Sequence, residues 1–179
     1  MENLNEVTIT TNELELVPTS QQYSPDIFRE FSEDITTFMM PESPKKIEET
    51  QEYVASAIQK IEQGKDLTVV VLNKTTREFL GCAGLHNIDT ETPELGIWIK
   101  KSAHGHGFGR EAVTALKEWA DKHLDYKYLR YPVDKRNIPS RKIPESLGGI
   151  VEGEEYTATT SKGRVLEEVE YRIYKNQPE

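Results

Sequence analysis

Glu94-Leu-Gly-Ile-Trp-Ile-Lys-Lys-Ser-Ala-His-Gly-His-Gly-Phe-Gly-Arg-Glu-Ala-Val-Thr-Ala-Leu116 is the stretch whose reading decides the fold. Residues 95–99 place Trp98 among branched aliphatics and predict a strand. Gly105, Gly107 and Gly109 then stand at alternate positions, as in a tight turn. Beyond them Ala112, Val113, Leu116, Trp119, Ala120 and Leu124 recur at i, i+1, i+4, i+7, i+8 and i+12, one apolar stripe of an amphipathic helix.

A strand that enters a helix through glycines has a physical use. The first turn of a helix leaves backbone N–H groups unpaired, and the peptide dipoles add partial positive charge there. Glycines let the backbone curl around an anion, so the junction can cradle a phosphate. A tight turn that needs glycine for its dihedrals would look the same. Two phosphate motifs are excluded by spacing: no Lys follows Gly109 as in G-x-x-x-x-G-K-[ST], and the glycines do not fall as G-x-G-x-x-G.

Working outward, 179 residues suit one domain, 1–179, with a real core. The 36% hydrophobic share falls in periodic segments, which excludes disorder. There is no run of membrane-spanning length, and Met-Glu-Asn-Leu-Asn-Glu is no secretory signal. The one cysteine, Cys82, excludes an internal disulfide framework and fits a reducing cytoplasm; it reads as a small buried hydrophobe. No metal is expected, because four histidines and one cysteine lack ligand spacing. The net charge of −9 disfavours nucleic acid as a partner and would attract a cationic substrate, although solubility alone explains it equally well. A homodimer is compatible with this composition.

Before the central stretch, 7–9 and 14–17 read as short extended pieces. Ser24-Pro25 is expected to open a helix with Ile27, Phe28, Phe31 and Ile35 on one face. Ser43-Pro44 repeats that signal before Ile47, Gln51, Val54, Ile58 and Ile61, a clean helical period stopped by Gly64. Residues 67–72 and 79–85 predict a hairpin, and 86–93 a loop. After the central helix comes a strand at 128–133. Pro132 cannot donate to a ladder, so it should lie at an edge or where neighbouring strands part. A short helix is expected over 140–147, bent by Pro144 and ended by Gly148-Gly149. A hairpin of 150–159 and 165–174 then closes the chain, and the first residues and Asn176-Gln-Pro-Glu179 read as tails.

His104-Gly-His-Gly107-Phe-Gly109 resembles the acyl-CoA pyrophosphate loop [QR]-x-x-G-x-[GA] of the GNAT N-acetyltransferases, with His104 where glutamine or arginine is usual. Asn137-Ile-Pro-Ser-Arg-Lys-Ile-Pro-Glu-Ser-Leu-Gly148 is similar to N-x-x-S-R-x-[IV]-P-E-x-[LI]-G of the RimJ/RimL branch, and Glu94-Leu-Gly-Ile-Trp to its E-[IL]-G-[YF]-W. Gly149 departs from the branch by replacing the aromatic that commonly follows Leu-Gly. The resemblance spans about 14–174 and implies the GNAT fold: a mixed α/β, mostly antiparallel central sheet. Its strands at 95–99 and 128–133 splay apart to admit the pantetheine arm, and about four helices flank it.

What the resemblance implies about chemistry is specific. The cosubstrate is acetyl-CoA. His104, Gly105, His106, Gly107, Phe108, Gly109 and Arg110 would bind its pyrophosphate, chiefly through N–H groups, with the His106 ring exposed. Ile97, Trp98 and Ile99 would pair with the pantetheine amides, and Asn137 and Ser140 would lie along that arm. Glu94 is the candidate base, acting through a water, or else an ordinary carboxylate at a strand start. Ser140 is the candidate proton donor to the thiolate, because Pro144 stands where other branches carry an acid tyrosine; otherwise it is a helix-cap hydroxyl. His86 lies in the loop before the gap. The acceptor would be a protein N-terminus or a small cationic amine, and a non-catalytic CoA-binding module is the reading from another class. Acceptor pockets are built by variable loops, so the acceptor is not written in the sequence.

Overall fold

The computed structural model describes residues 2–175; the tail expected at 176–179 lies outside the described residues. The chain opens with β1 (Ile9–Thr10), β2 (Leu14–Pro18), α1 (Ser24–Glu30), α2 (Glu33–Thr36) and α3 (Ile47–Glu62). Next come β3 (Leu67–Asn73), β4 (Phe79–His86), β5 (Glu94–Ile99), α4 (Phe108–His123) and β6 (Tyr128–Asp134). It closes with α5 (Ile138–Ser146), β7 (Ile150–Val151), β8 (Tyr156–Thr159) and β9 (Val165–Tyr174). One sheet runs β1-β2-β3-β4-β5-β6-β9-β7, with β8 also paired to β9. Every pairing is antiparallel except β5 with β6, which meet at a single register pair, Glu94 with Arg130.

β3 is apolar from Val69 to Leu72 because both of its faces are covered. Val69 and Val71 join the larger core against α4, whereas Val70 and Leu72 join a second cluster with Ile27 of α1 and Val54 of α3. The expected stripe on α4 is the buried one: Ala112, Val113, Leu116, Trp119 and Ala120. Removing the fully buried Leu116 side chain to Ala would cost about 2–5 kcal/mol.

Pro132 lies where strands part. Arg130 N–H donates to the Pro93 carbonyl on the β5 side at 2.8 Å. Two residues on, the nitrogen of Pro132 faces the same way, but β5 has already diverged. The missing donor therefore costs no ladder bond.

Several expectations are corrected. Ser24 is not a cap: a 3-10 turn over Gln21–Tyr23 precedes it, and its hydroxyl donates to the Gln21 side chain at 2.7 Å. The first helix breaks at Phe31, whose ring packs on Trp98 with centroids 4.9 Å apart, and α2 follows as a separate single turn. With that turn there are five α-helices among the described residues. Ser43-Pro44 does not open α3 either; the Glu49 carboxylate does so by accepting from the N–H groups of Lys45 and Lys46 at 2.6 and 3.1 Å. Gln51 is exposed, and the buried face of α3 is Thr50, Val54, Ala57 and Ile61. His86 belongs to β4 rather than to the loop. The arm expected over 150–159 is two short strands, β7 and β8, laid end to end along β9.

Candidate active site

In an antiparallel ladder, successive residues turn their backbone groups to opposite neighbours. Lys100 N–H donates to the Leu80 carbonyl at 2.7 Å, so the even residues of β5 bond to β4. Ile97 and Ile99 therefore turn N–H and C=O toward the gap between β5 and β6. The Ile99 carbonyl is engaged by His104 Nε2 at 2.6 Å. Trp98 is not brought to the gap. Its backbone bonds to β4 opposite Cys82, and its ring lies on the other face between Phe31 and Phe79.

At the far end of the gap, His104 leaves a 3-10 turn and the chain swings through Gly105 and Gly107, both left-handed with φ +84° and +76°. A Cβ at either would meet nothing within 4 Å, so these glycines serve conformation and leave the approach open. Gly109 differs, for a Cβ there would meet Ile143 Cδ1 at 3.3 Å. Glycine at 109 lets the start of α4 close on α5 and β5. The first helical bond of α4 joins Glu111 N–H to the Gly107 carbonyl at 3.0 Å. The N–H groups of Phe108, Gly109 and Arg110 are thus the open ones of the first turn, and no side chain caps them. Partial positive charge collects there beside an open surface, an arrangement that can hold a phosphate. The His106 ring is exposed and stacks on Phe108 at 5.4 Å.

On the α4 side of the gap, Asn137 caps α5 by accepting from Ser140 N–H at 3.4 Å. Ser140 is accordingly not the cap. Its hydroxyl lies 2.7 Å from that of Tyr131, which is buried on β6. Burial pushes the Tyr131 phenol up to about 12, and its bond to Ser140 pulls the other way. The phenol therefore stays protonated around neutrality and orients the serine.

The opposite face of β4 and β5 holds a cavity of about 640 Å³, walled by Phe31, Met39, Tyr53, Cys82 and Trp98. Burial pushes the Cys82 thiol far up, so it remains neutral. Exposed Lys45 and Lys162 stand at the cavity mouth. Its roof, residues 37–46, is held by Arg164 from the β8–β9 turn. That guanidinium donates to the carbonyls of Thr36, Thr37, Met39 and Pro41 at 2.6, 2.9, 3.0 and 3.3 Å, and to Glu42 Oε2 at 3.2 Å. His86 lines the cavity floor, where Asp66 Oδ2 holds its Nδ1 at 3.0 Å.

Glu94 is not part of the cavity wall. It stands at the head of the gap with its carboxylate 3.8 Å from Arg130 Nη1. Beyond Arg130, on β9, the nearly buried Glu168 has an Oε2 without a hydrogen-bond partner. Its carboxyl is pushed up to about 7, by burial first and then by Asp134 and Glu94.

The chain thus places His104–Arg110, Ile97, Ile99, Asn137 and Ser140 around one gap, and Glu94 at its head. Asp66, Tyr131, Arg164 and Glu168 were not singled out by sequence. Tyr131 could have been, since strand alternation from Leu129 turns it to the core beside α5. Among the described residues, no group of three or more His, Cys, Asp or Glu is placed to hold a metal ion, and no helix is long and apolar enough to cross a membrane.

Residues 13–150 match the acetyltransferase (GNAT) domain family. An uncharacterized N-acetyltransferase, p20, of Bacillus licheniformis is 28% identical over 109 residues, 60% of this chain. The chain spans 61% of that relative's length and 54% of a second curated relative's. Among solved structures, RimL, a ribosomal L7/L12 alpha-N-protein acetyltransferase in complex with coenzyme A, superposes with a TM-score of 0.83 at 16% identity, covering 94% of this chain and 98% of that one. Spermidine N-acetyltransferase from Vibrio cholerae in complex with CoA and spermine gives 0.79 at 17%, covering 92% and 97%. At such identities the likeness is one of fold.

Proposed function

The chain belongs to the GNAT acetyltransferase family, and from that membership we propose that it transfers an acetyl group from acetyl-CoA to a primary amine. The observation that carries this reading is the β5–β6 gap. It runs from the open N–H groups at the start of α4 to Glu94, past backbone groups of Ile97 that no strand takes up. The pyrophosphate would rest on the N–H groups of Gly107, Phe108, Gly109 and Arg110, and the pantetheine arm would pair with Ile97 and with the N–H of Ile99, whose carbonyl His104 holds, as an added strand. The thioester carbonyl is then the electrophile. Ser140, oriented by Tyr131, donates a hydrogen bond to the departing thiolate, and Glu94 sets negative charge where the ammonium form of the acceptor arrives.

For the acceptor, we propose a protein N-terminal α-amine whose first side chain enters the apolar cavity. RimL, which acts on such an amine, supports this reading. A specific observation supports a small amine instead: the cavity is roofed and pinned by Arg164, and a roof limits the size of what enters. Within that second reading a polyamine is the poorer fit, since Lys45 and Lys162 face the mouth while Glu42 and Glu49 are already engaged.

The test measures CoA release from acetyl-CoA with N-terminal peptides, small apolar amines and polyamines. Acetyl-CoA should also raise the melting temperature by mass action. Gly107→Val should abolish that rise, because φ +76° excludes a β-branched residue and the new side chain fills the approach. Tight CoA binding with no release from any amine would support a binding module instead.

A further inference from the structure

An amine attacks a thioester only when neutral, so a base must take its proton. We propose that His86, held by Asp66, is that base; the assignment rests on the acetyltransferase reading. The Asp66 side chain is nearly buried, with Oδ1 fixed by the N–H of Asn87 at 2.9 Å and Oδ2 on His86 Nδ1 at 3.0 Å. An ionised carboxylate only accepts, so the proton of the neutral ring sits on Nδ1 and the lone pair on Nε2.

Nε2 lies over two glycines. A Cβ at Gly84 would meet it at 3.1 Å and one at Gly96 at 3.4 Å, so both positions leave room for the ring. Gly96 belongs to β5 and precedes Ile97, whose backbone turns to the gap. The lone pair therefore sits on the cavity floor, beside the strand along which the thioester would lie.

The other ionisable groups around the cavity are either engaged elsewhere or unsuited to take up a proton. Glu42 is bonded to Arg164, and Glu49 to the N–H groups at the start of α3. The Cys82 thiol is kept neutral by burial. Lys45 and Lys162 are cations at the mouth, and Tyr53 is a phenol on the wall. The charges that face the ring are Asp66 beside it, Lys60 of α3 at 4.0 Å from the same carboxylate, and Glu94, its cross-strand partner on β5. Glu94 lies outside the cavity wall and beside Arg130, which suits it to attract the ammonium group rather than to deprotonate it.

The step balances as follows. The ammonium passes one proton to His86 Nε2, and the freed lone pair forms the C–N bond at the thioester carbon. The C–S bond breaks with its electron pair on sulfur, and the second nitrogen proton accounts for the thiol of free CoA. The imidazolium returns its proton to water.

The test uses full-length protein, acetyl-CoA and the best amine of the panel. His86→Ala should lower kcat on the order of 100-fold or more, keep the acetyl-CoA melting shift, and lose the acidic limb of the kcat/KM profile. Added imidazole should restore part of its turnover, which a merely structural role would not allow. Asp66→Asn should lower kcat and displace the limb, and Glu94→Gln should raise KM and keep the limb. A limb that persists in His86→Ala and vanishes in Glu94→Gln overturns the proposal, as does full turnover or failure of rescue in a folded His86→Ala. Wild-type protein that binds acetyl-CoA but releases CoA with no amine overturns the acetyltransferase reading itself, and the base with it.

Discussion

Replacing Glu168 by Gln should stabilise the protein in neutral and alkaline solution. The side chain sits on β9 opposite Asp134 of β6 and Tyr156 of β8, 7% exposed, with Oε2 unpartnered. Burial and then the charges of Asp134 and Glu94 raise its carboxyl from 4.5 to about 7. Below the lower value both folded and unfolded chains hold the proton, and Glu168 costs nothing. Between the two values only the folded chain holds it, so stability falls as pH rises; above about 7 the loss is complete. At about 1.36 kcal/mol per pH unit, the interval amounts to roughly 3 kcal/mol. Glu168→Gln keeps the shape and removes the ionisation. Urea unfolding at a series of pH values should give equal stabilities for the two proteins near pH 4 and a gain of about 3 kcal/mol for the variant near pH 8. Titrating groups that do not interact with Glu168 cancel in that difference. A difference that is flat with pH, or that favours the wild type at pH 8, would refute the reasoning.

Ser140→Ala should lower turnover on the order of tenfold or more. It should also cost about 1–3 kcal/mol in stability, because the buried Tyr131 hydroxyl loses its partner. Tyr131→Phe should lower turnover too, though less than Ser140→Ala, because the serine keeps its hydroxyl and loses only the partner that orients it; undiminished turnover per folded molecule in Ser140→Ala would exclude the thiolate role. Arg164→Ala frees the roof of the cavity. A reorganisation cost of about 1.4 kcal/mol would raise the acceptor KM roughly tenfold while leaving the acetyl-CoA melting shift alone. Steady-state kinetics with each substrate varied separates the two, and an equal loss of both would show that Arg164 merely supports the fold.

The sequence by itself determined what depends on near neighbours along the chain. The period of α4, the glycine turn before it and the bare nitrogen of Pro132 are properties of short segments, and each predicts its own place beside the gap. Local rules misled where side chains found other partners: Ser24 donates to Gln21, and Glu49 rather than Ser43 opens α3. Tertiary structure decided the contacts that rest on strand register and packing. Asp66 reaches His86 twenty residues away, and Arg164 clasps carbonyls more than 120 residues before it. Glu168 comes near Glu94 only because β9 lies beside β6, and β6 beside β5. A one-residue slip in any ladder would turn these side chains to the other face without altering a single local pattern. The apolar periods and glycines are therefore legible in the chain, whereas the charges that would handle the acceptor amine are set by which strands meet, and in what register.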